Sequence, residues 1–131
     1  MRKYLFVGCG GVLGALLRDW VKGLSLGQLP EVIPLHTLGI NVLGAFLIAL
    51  ISTVAYEVWE FDGDLRLGLT TGLLGAFTTF STLCKETVNL WRAGQENLAL
   101  SYVGLSISLG LLAAFAGVVL ARGLGLLRQR D

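Results

Sequence analysis

Hydrophobic residues in this chain fall into four long runs separated by short polar links, and that pattern predicts four helices. Spanning the hydrocarbon of a bilayer takes about 20 predominantly apolar residues in a helix. Runs over about 4–22, 35–58, 65–91 and 98–123 are long enough. The first is interrupted only near its end, by Arg18 and Asp19, and the second has one strongly polar interior residue, Asn41. Turn and break signals fill the links: Gly23, Gly27, Pro30, Glu31 and Pro34, then EFDGD (Glu60 to Asp64), then Arg92 to Asn97. Trp20, Trp59 and Trp91 stand at run ends, where an aromatic belt would place them. The expected fold is all-α and integral to the membrane, a single domain of four transmembrane helices over residues 1–131.

Composition supports the membrane reading. The chain is 54% hydrophobic and 15% charged, with a mean hydropathy of +0.73, whereas soluble domains average about 25% charged residues. A net charge of +1 gives no basis for a nucleic-acid partner. Arg2 and Lys3 precede an apolar run as in a signal peptide, but the run continues past signal length without a small-x-small cleavage site. It is therefore read as a retained helix. An even number of spans puts both termini on one side, with Arg2, Lys3, Arg66, Arg122, Arg128 and Arg130. Lys22 and Arg92 lie on the other, and Arg18 and Lys85 nearer the membrane. This bias is weak, so insertion in both orientations is compatible with it. Four short helices leave little room for a polar path inside one subunit. A path between subunits is expected instead, most simply in a dimer.

The third run concentrates the chemistry. It carries hydroxyls at Thr70, Thr71, Thr78, Thr79, Ser81 and Thr82, with Gly72 and Gly75 among them. Threonines bonded back to carbonyls one turn earlier in an intact helix are the plain alternative. So many hydroxyls beside two glycines favour a helix broken near its centre. Non-helical backbone at membrane depth is tolerated where it is buried in protein or lines a wet cavity. Such breaks offer half-helix N-termini to anions and free carbonyls to cations. At helical spacing Phe77, Phe80 and Leu83 share one face, and Thr78, Ser81 and Thr82 a neighbouring one. Asn41 shares a small, polar face with Thr37, Gly44 and Ala45. It serves either a packing seam, through an interhelical hydrogen bond, or an ion. Tyr102, Ser106 and Gly110 form one stripe of the fourth run and Ser108 lies off it, with ordinary helix packing as the alternative. Arg18 either snorkels to the interface or lines a positive vestibule.

Catalysis finds little support. His36 is the only histidine, at a predicted helix start, and no nucleophile–base pair or metal-ligand cluster is readable. Cys9 and Cys84 lie in apolar runs and read as free buried thiols. Gly8, Gly10 and Gly14 mimic a dinucleotide-binding pattern, but no alternating strands follow. In a membrane helix they permit close backbone approach.

Three segments carry a family resemblance. GGVLGALLR (Gly10 to Arg18), TLGINVLGAF (Thr37 to Phe46) and GLLGAFTTFSTL (Gly72 to Leu83) resemble, in order, the GGxxGAxxR, T-x-x-x-N-x-x-G and G-x-x-G-x-x-T-T-F-S-T-F patterns of the Fluc, or CrcB, family of fluoride channels. The resemblance covers three of the four helices. It implies a fluoride-selective channel of the inner (plasma) membrane that exports fluoride passively, and no enzyme. It implies an antiparallel, dual-topology homodimer with two pores. Asn41, Phe80, Ser81, Thr82 and Leu83 would line a pore, with Tyr102 and Ser106 matching a hydroxyl track on the fourth helix. Arg18 would sit in a vestibule. A structural sodium ion on the dimer axis would be held by the Gly75 and Thr78 carbonyls, with no organic cofactor. Phe80 would present its ring edge, the positive part of the aromatic quadrupole, to the anion.

Leu83 departs from the pattern, because it stands where the family has a second phenylalanine. Leucine keeps the bulk but has no positive edge. Ala45 and His36 also differ from family expectation, and Glu86 occupies a family-like position with no role assigned.

Fluoride is small and strongly hydrated, so entry requires donors that replace its water. Hydroxyls, an amide and ring edges supply them, and binding stays weak enough for release. The competing reading is a small four-helix, dual-topology drug/proton antiporter. That function needs a titratable carboxylate inside the membrane, and the interior of the first run has none. A non-transporting scaffold is a third reading.

Overall fold

The computed structural model describes residues 1–24, 33–59 and 61–128. Gly27, Pro30, Glu31, Glu60 and Arg130 lie outside the described residues. The helices are α1 (Arg2–Gly23), α2 (Leu35–Val58), α3 (63–77), α4 (Phe80–Arg92) and α5 (Glu96–Arg128). Helices α3 and α4 follow one another in a single span, Gly63–Arg92. Four segments therefore have the length and hydropathy to cross a membrane, and no strand occurs among the described residues. The last turn of α2 (Val54–Val58) and the middle of α3 (Gly68–Leu74) are π-helical.

Local chemistry sets the ends. Pro34 occupies the N-cap of α2, where a missing N–H costs nothing. Asp62 caps α3, its Oδ1 accepting from the backbone N–H groups of Asp64 at 3.2 Å and Leu65 at 3.3 Å. Gly94 closes α4 at a φ of 75°, a left-handed conformation that glycine adopts without steric cost. Its N–H donates to Trp91 O, and the Gln95 N–H donates to Leu90 O.

Within a bilayer, lipid removes the hydrophobic drive for helix association, so close packing and hydrogen bonds take its place. Helix α1 lies along α3 on a glycine seam. Cβ atoms at Gly10 and Gly14 would overlap the backbone of Gly68 and Leu73. Cβ atoms at Gly68 and Gly72 would crowd Phe6 and Val7 in return. Close approach thus holds for Gly10 and Gly14, while Gly8 faces open space. Helix α2 pairs most extensively with α5. Ile40, Leu74, Tyr102, Ala99 and Ala121 form the buried interior.

One end of the bundle gathers charge. Arg2 pairs with Asp62 at 3.4 Å and Asp64 at 3.7 Å, and Arg122 donates to both Glu57 carboxylate oxygens at 2.9 and 3.1 Å. The Arg66 guanidinium lies 4.0 Å from the centroid of the Tyr56 ring. The chain start, the second link and the end of α5 thus meet on one side, as four spans require. At the opposite end the His36 Nε2–H donates to Leu24 O at 2.8 Å. Trp20, Trp59 and Trp91 are all exposed at helix ends.

Two expectations are corrected. Cys9 and Cys84 are free but exposed, not buried. Hydropathy does not report burial in a chain whose outer surface is itself apolar. Phe77 and Phe80 do not share a face: Phe77 is 5% exposed and Phe80 78%. Three-residue spacing aligns side chains only within a continuous helix, and Thr78 and Thr79 between them leave helical geometry.

Candidate functional site

The site is built around Thr78 and Thr79, midway along the span Gly63–Arg92. The Thr78 N–H still donates to Leu74 O at 3.0 Å, but ψ of Thr78 is 157°. Thr79 is extended, at φ −149° and ψ 110°. Asn41 of α2 replaces the lost helical bonds. Its Oδ1 accepts the Thr79 N–H at 2.8 Å, and its Nδ2 donates to Thr79 O at 3.0 Å. Extended backbone at this depth would otherwise leave costly unpaired polar groups. Gly44, one turn after Asn41, makes the approach possible, because a Cβ there would overlap the Thr78 methyl group.

Diverting the Thr79 N–H has a consequence for α3. The Gly75 carbonyl loses its usual donor four residues on. Thr78 O loses its donor as well, because the Thr82 N–H goes to the Thr79 hydroxyl at 3.2 Å. Among the described residues neither carbonyl regains a donor. Two such oxygens are hard, neutral donors of the kind that a small cation takes.

The start of α4 is a hydroxyl cluster. Thr79 Oγ1 donates to Thr82 Oγ1 at 2.9 Å and lies 3.4 Å from Ser81 Oγ. Thr79 is buried, whereas Ser81 and the Phe80 ring are exposed on the outside of the chain. Leu83 is half-buried on the same helix.

One turn further along α4, Glu86 joins three helices. It accepts from the Thr37 hydroxyl of α2 at 2.9 Å and from the Tyr102 hydroxyl of α5 at 2.7 Å. Tyr102 is fully buried. The Ser106 hydroxyl donates to Tyr102 O at 2.7 Å. The Thr37–Asn41 face of α2 therefore meets α4 at two places, Thr79 and Glu86. Arg18, near the end of α1, is half-buried, and no ion pair to it occurs among the described residues.

Of the residues singled out in the sequence, Asn41, Ser81 and Thr82 gather around Thr79, Tyr102 reaches Glu86, and Ser106 bonds back to its own helix. Sequence reasoning missed Thr79 as the centre of the cluster and Glu86 as its acidic neighbour. The available signal was the four-residue spacing of Thr37 and Asn41, which presents two polar groups to one helix.

Comparison with known proteins gives the family. Residues 5–118 match the family model of the CrcB-like proteins, described as Camphor Resistance (CrcB). A fluoride-specific ion channel FluC of Thermus thermophilus is 44% identical over 117 residues, covering 89% of this chain and 93% of its own. A protein of the same name from Thermosipho melanesiensis is 40% identical over 122 residues, 92% of this chain and 97% of its own. That from Allorhizobium ampelinum is 36% identical over 124 residues, 95% and 99% of the two chains. With four apolar spans and these relatives, the chain is a multi-pass protein of the bacterial plasma (inner) membrane, and it belongs to the CrcB family.

Proposed function

We propose that this protein is a fluoride-selective channel through which fluoride leaves the cell passively, down its electrochemical gradient. The relatives named as fluoride-specific channels support the choice of ion. The observation that carries the reading is the Asn41–Thr79 pairing, which holds extended backbone inside a membrane-spanning segment beside the Ser81 and Thr82 hydroxyls. A small, strongly hydrated anion needs such donors to replace its water, and its binding must stay weak enough for release.

Asn41, Phe80, Ser81, Thr82 and Leu83 line the pore in this reading, and Tyr102 and Ser106 continue it on α5. Phe80 and Ser81 lie on the outer surface of one copy, so a second copy is needed to enclose them. Two copies in antiparallel, dual-topology insertion then enclose two pores. The weak charge bias between the two sides allows that insertion. Arg18 raises the local anion concentration in the vestibule. The Gly75 and Thr78 carbonyls of both copies would hold a structural sodium ion, whose charge would satisfy oxygens that lack donors.

The test is efflux from proteoliposomes loaded with fluoride or chloride at one fixed pH. Fast, electrogenic, fluoride-selective release is expected. Release that needs a pH gradient would identify a proton-coupled carrier, and no release would end the transport reading.

A further inference from the structure

We propose that Thr79 is a positioning residue: by giving its one hydroxyl proton to Thr82, it forces the Thr82 hydroxyl to aim its own proton at the permeating anion. The inference rests on Thr82 lining the pore, as proposed above.

Hydroxyls in membrane helices ordinarily spend their proton on the carbonyl four residues earlier. Thr70, Thr78, Thr87 and Ser106 do so here, to Arg66 O, Leu74 O, Leu83 O and Tyr102 O, at 2.7–3.0 Å. A proton spent in that way is lost to an anion. Thr82 makes no such bond. The carbonyl four residues before it belongs to Thr78, where the chain has left the helix.

Thr79 fixes what happens instead. A threonine hydroxyl has one proton and two lone pairs. The Thr79 proton goes to Thr82 Oγ1 at 2.9 Å, and one lone pair takes the Thr82 N–H at 3.2 Å. Ser81 Oγ at 3.4 Å is the more distant neighbour, so its hydroxyl is only loosely held. Thr79 is 5% exposed and its backbone is gripped through its N–H and its C=O by Asn41, which holds the hydroxyl beside Thr82. Thr82 Oγ1 thus already accepts a proton, and its own proton finds no acceptor among the described residues. Accepting a bond also polarises a hydroxyl and makes it a better donor. The polarity of the chain Thr79 to Thr82 to anion is set by the buried member.

A double-mutant cycle tests this, using initial fluoride efflux from proteoliposomes and chloride efflux beside it. Thr79→Val keeps shape and removes the hydroxyl. It is expected to slow fluoride efflux about tenfold, the order lost with one hydrogen bond to a charged group. Thr79→Ser restores the proton and is expected to conduct within about twofold of the parent. Thr82→Val is expected to slow efflux like Thr79→Val, and the double variant to be no slower than Thr82→Val alone, because the two act as one unit. If Thr79→Val fails to yield folded protein, Thr79→Gly replaces it in the cycle, since glycine is a well-tolerated helix cap.

Full conduction by the hydroxyl-free variant, with Thr82→Val slowed, overturns the positioning role and leaves the pore reading intact. Equal slowing by the Thr79 change with and without the Thr82 hydroxyl also overturns it, and marks Thr79 as a helix cap only. Full conduction by Thr82→Val overturns the pore reading of Thr82 itself.

Discussion

The side-chain amide of Asn41 pairs with the backbone of Thr79 as one strand pairs with another, accepting its N–H at 2.8 Å and donating to its C=O at 3.0 Å. A single side chain thereby stands in for the helical bonds that Thr79 gives up. The same amide has a second Nδ2 hydrogen, which finds no acceptor among the described residues.

Asn41→Asp tests both uses. A carboxylate has no proton for Thr79 O, and it repels a halide. Loss of fluoride flux by about 100-fold or more is expected, given that a like charge a few ångströms away costs several kcal/mol at a partly buried site. Initial efflux rates from proteoliposomes measure it. Undiminished flux would remove Asn41 from the conduction path.

Leu83→Phe supplies the ring edge that position 83 lacks. Edge contacts of aromatic rings are worth about 0.5–1.5 kcal/mol, so a rise in flux of roughly 2- to 10-fold is expected. The same assay reads it. Unchanged or lower flux would show that the second ring is not what limits this chain.

Glu86 accepts from Thr37, which is 1% exposed, and from Tyr102, which is 0% exposed. Glu86→Ala strands both hydroxyls, at an expected cost of about 1–3 kcal/mol for each one left unsatisfied. Glu86→Gln retains an accepting oxygen and is expected to lose clearly less. Thermal unfolding in detergent distinguishes the two. Equal melting temperatures for both variants would mean that the hydroxyls find other partners.

Gly14→Ala and Gly11→Ala are the same chemical change on one helix with opposite expectations. A Cβ at Gly14 would overlap the Leu73 backbone, which cannot step aside as a side chain can. A Cβ at Gly11 has nothing within 4 Å. Gly14→Ala is expected to abolish the monodisperse peak in size-exclusion chromatography, and Gly11→Ala to preserve it. Similar profiles would mean that α1 and α3 pack less closely than described.

The spans were legible because apolar run length and tryptophan placement depend on the bilayer rather than on packing. The donor set was partly legible. Asn41 and the cluster of hydroxyls stand out against an apolar background, and the glycines predicted close approach at Gly10 and Gly14. Partners were not legible. Thr79 looked like one hydroxyl among several, since its importance comes from an amide 38 residues away. Phe77 and Phe80 were assigned one face because periodicity assumes an unbroken helix. Cys9 and Cys84 were assigned to the interior because apolar neighbours signal burial only in water.

The backbone contact between α1 and α3 also limits how the molecule can move. Neither helix can roll about its own axis without driving glycine Cα atoms into carbonyl oxygens, so the two swing only as one plate. The opposing plate is α2 with α5, and Asn41 and Gly44 bear on Thr78 and Thr79 where the plates meet. Any shift of one plate against the other would therefore bear first on the Asn41–Thr79 pairing.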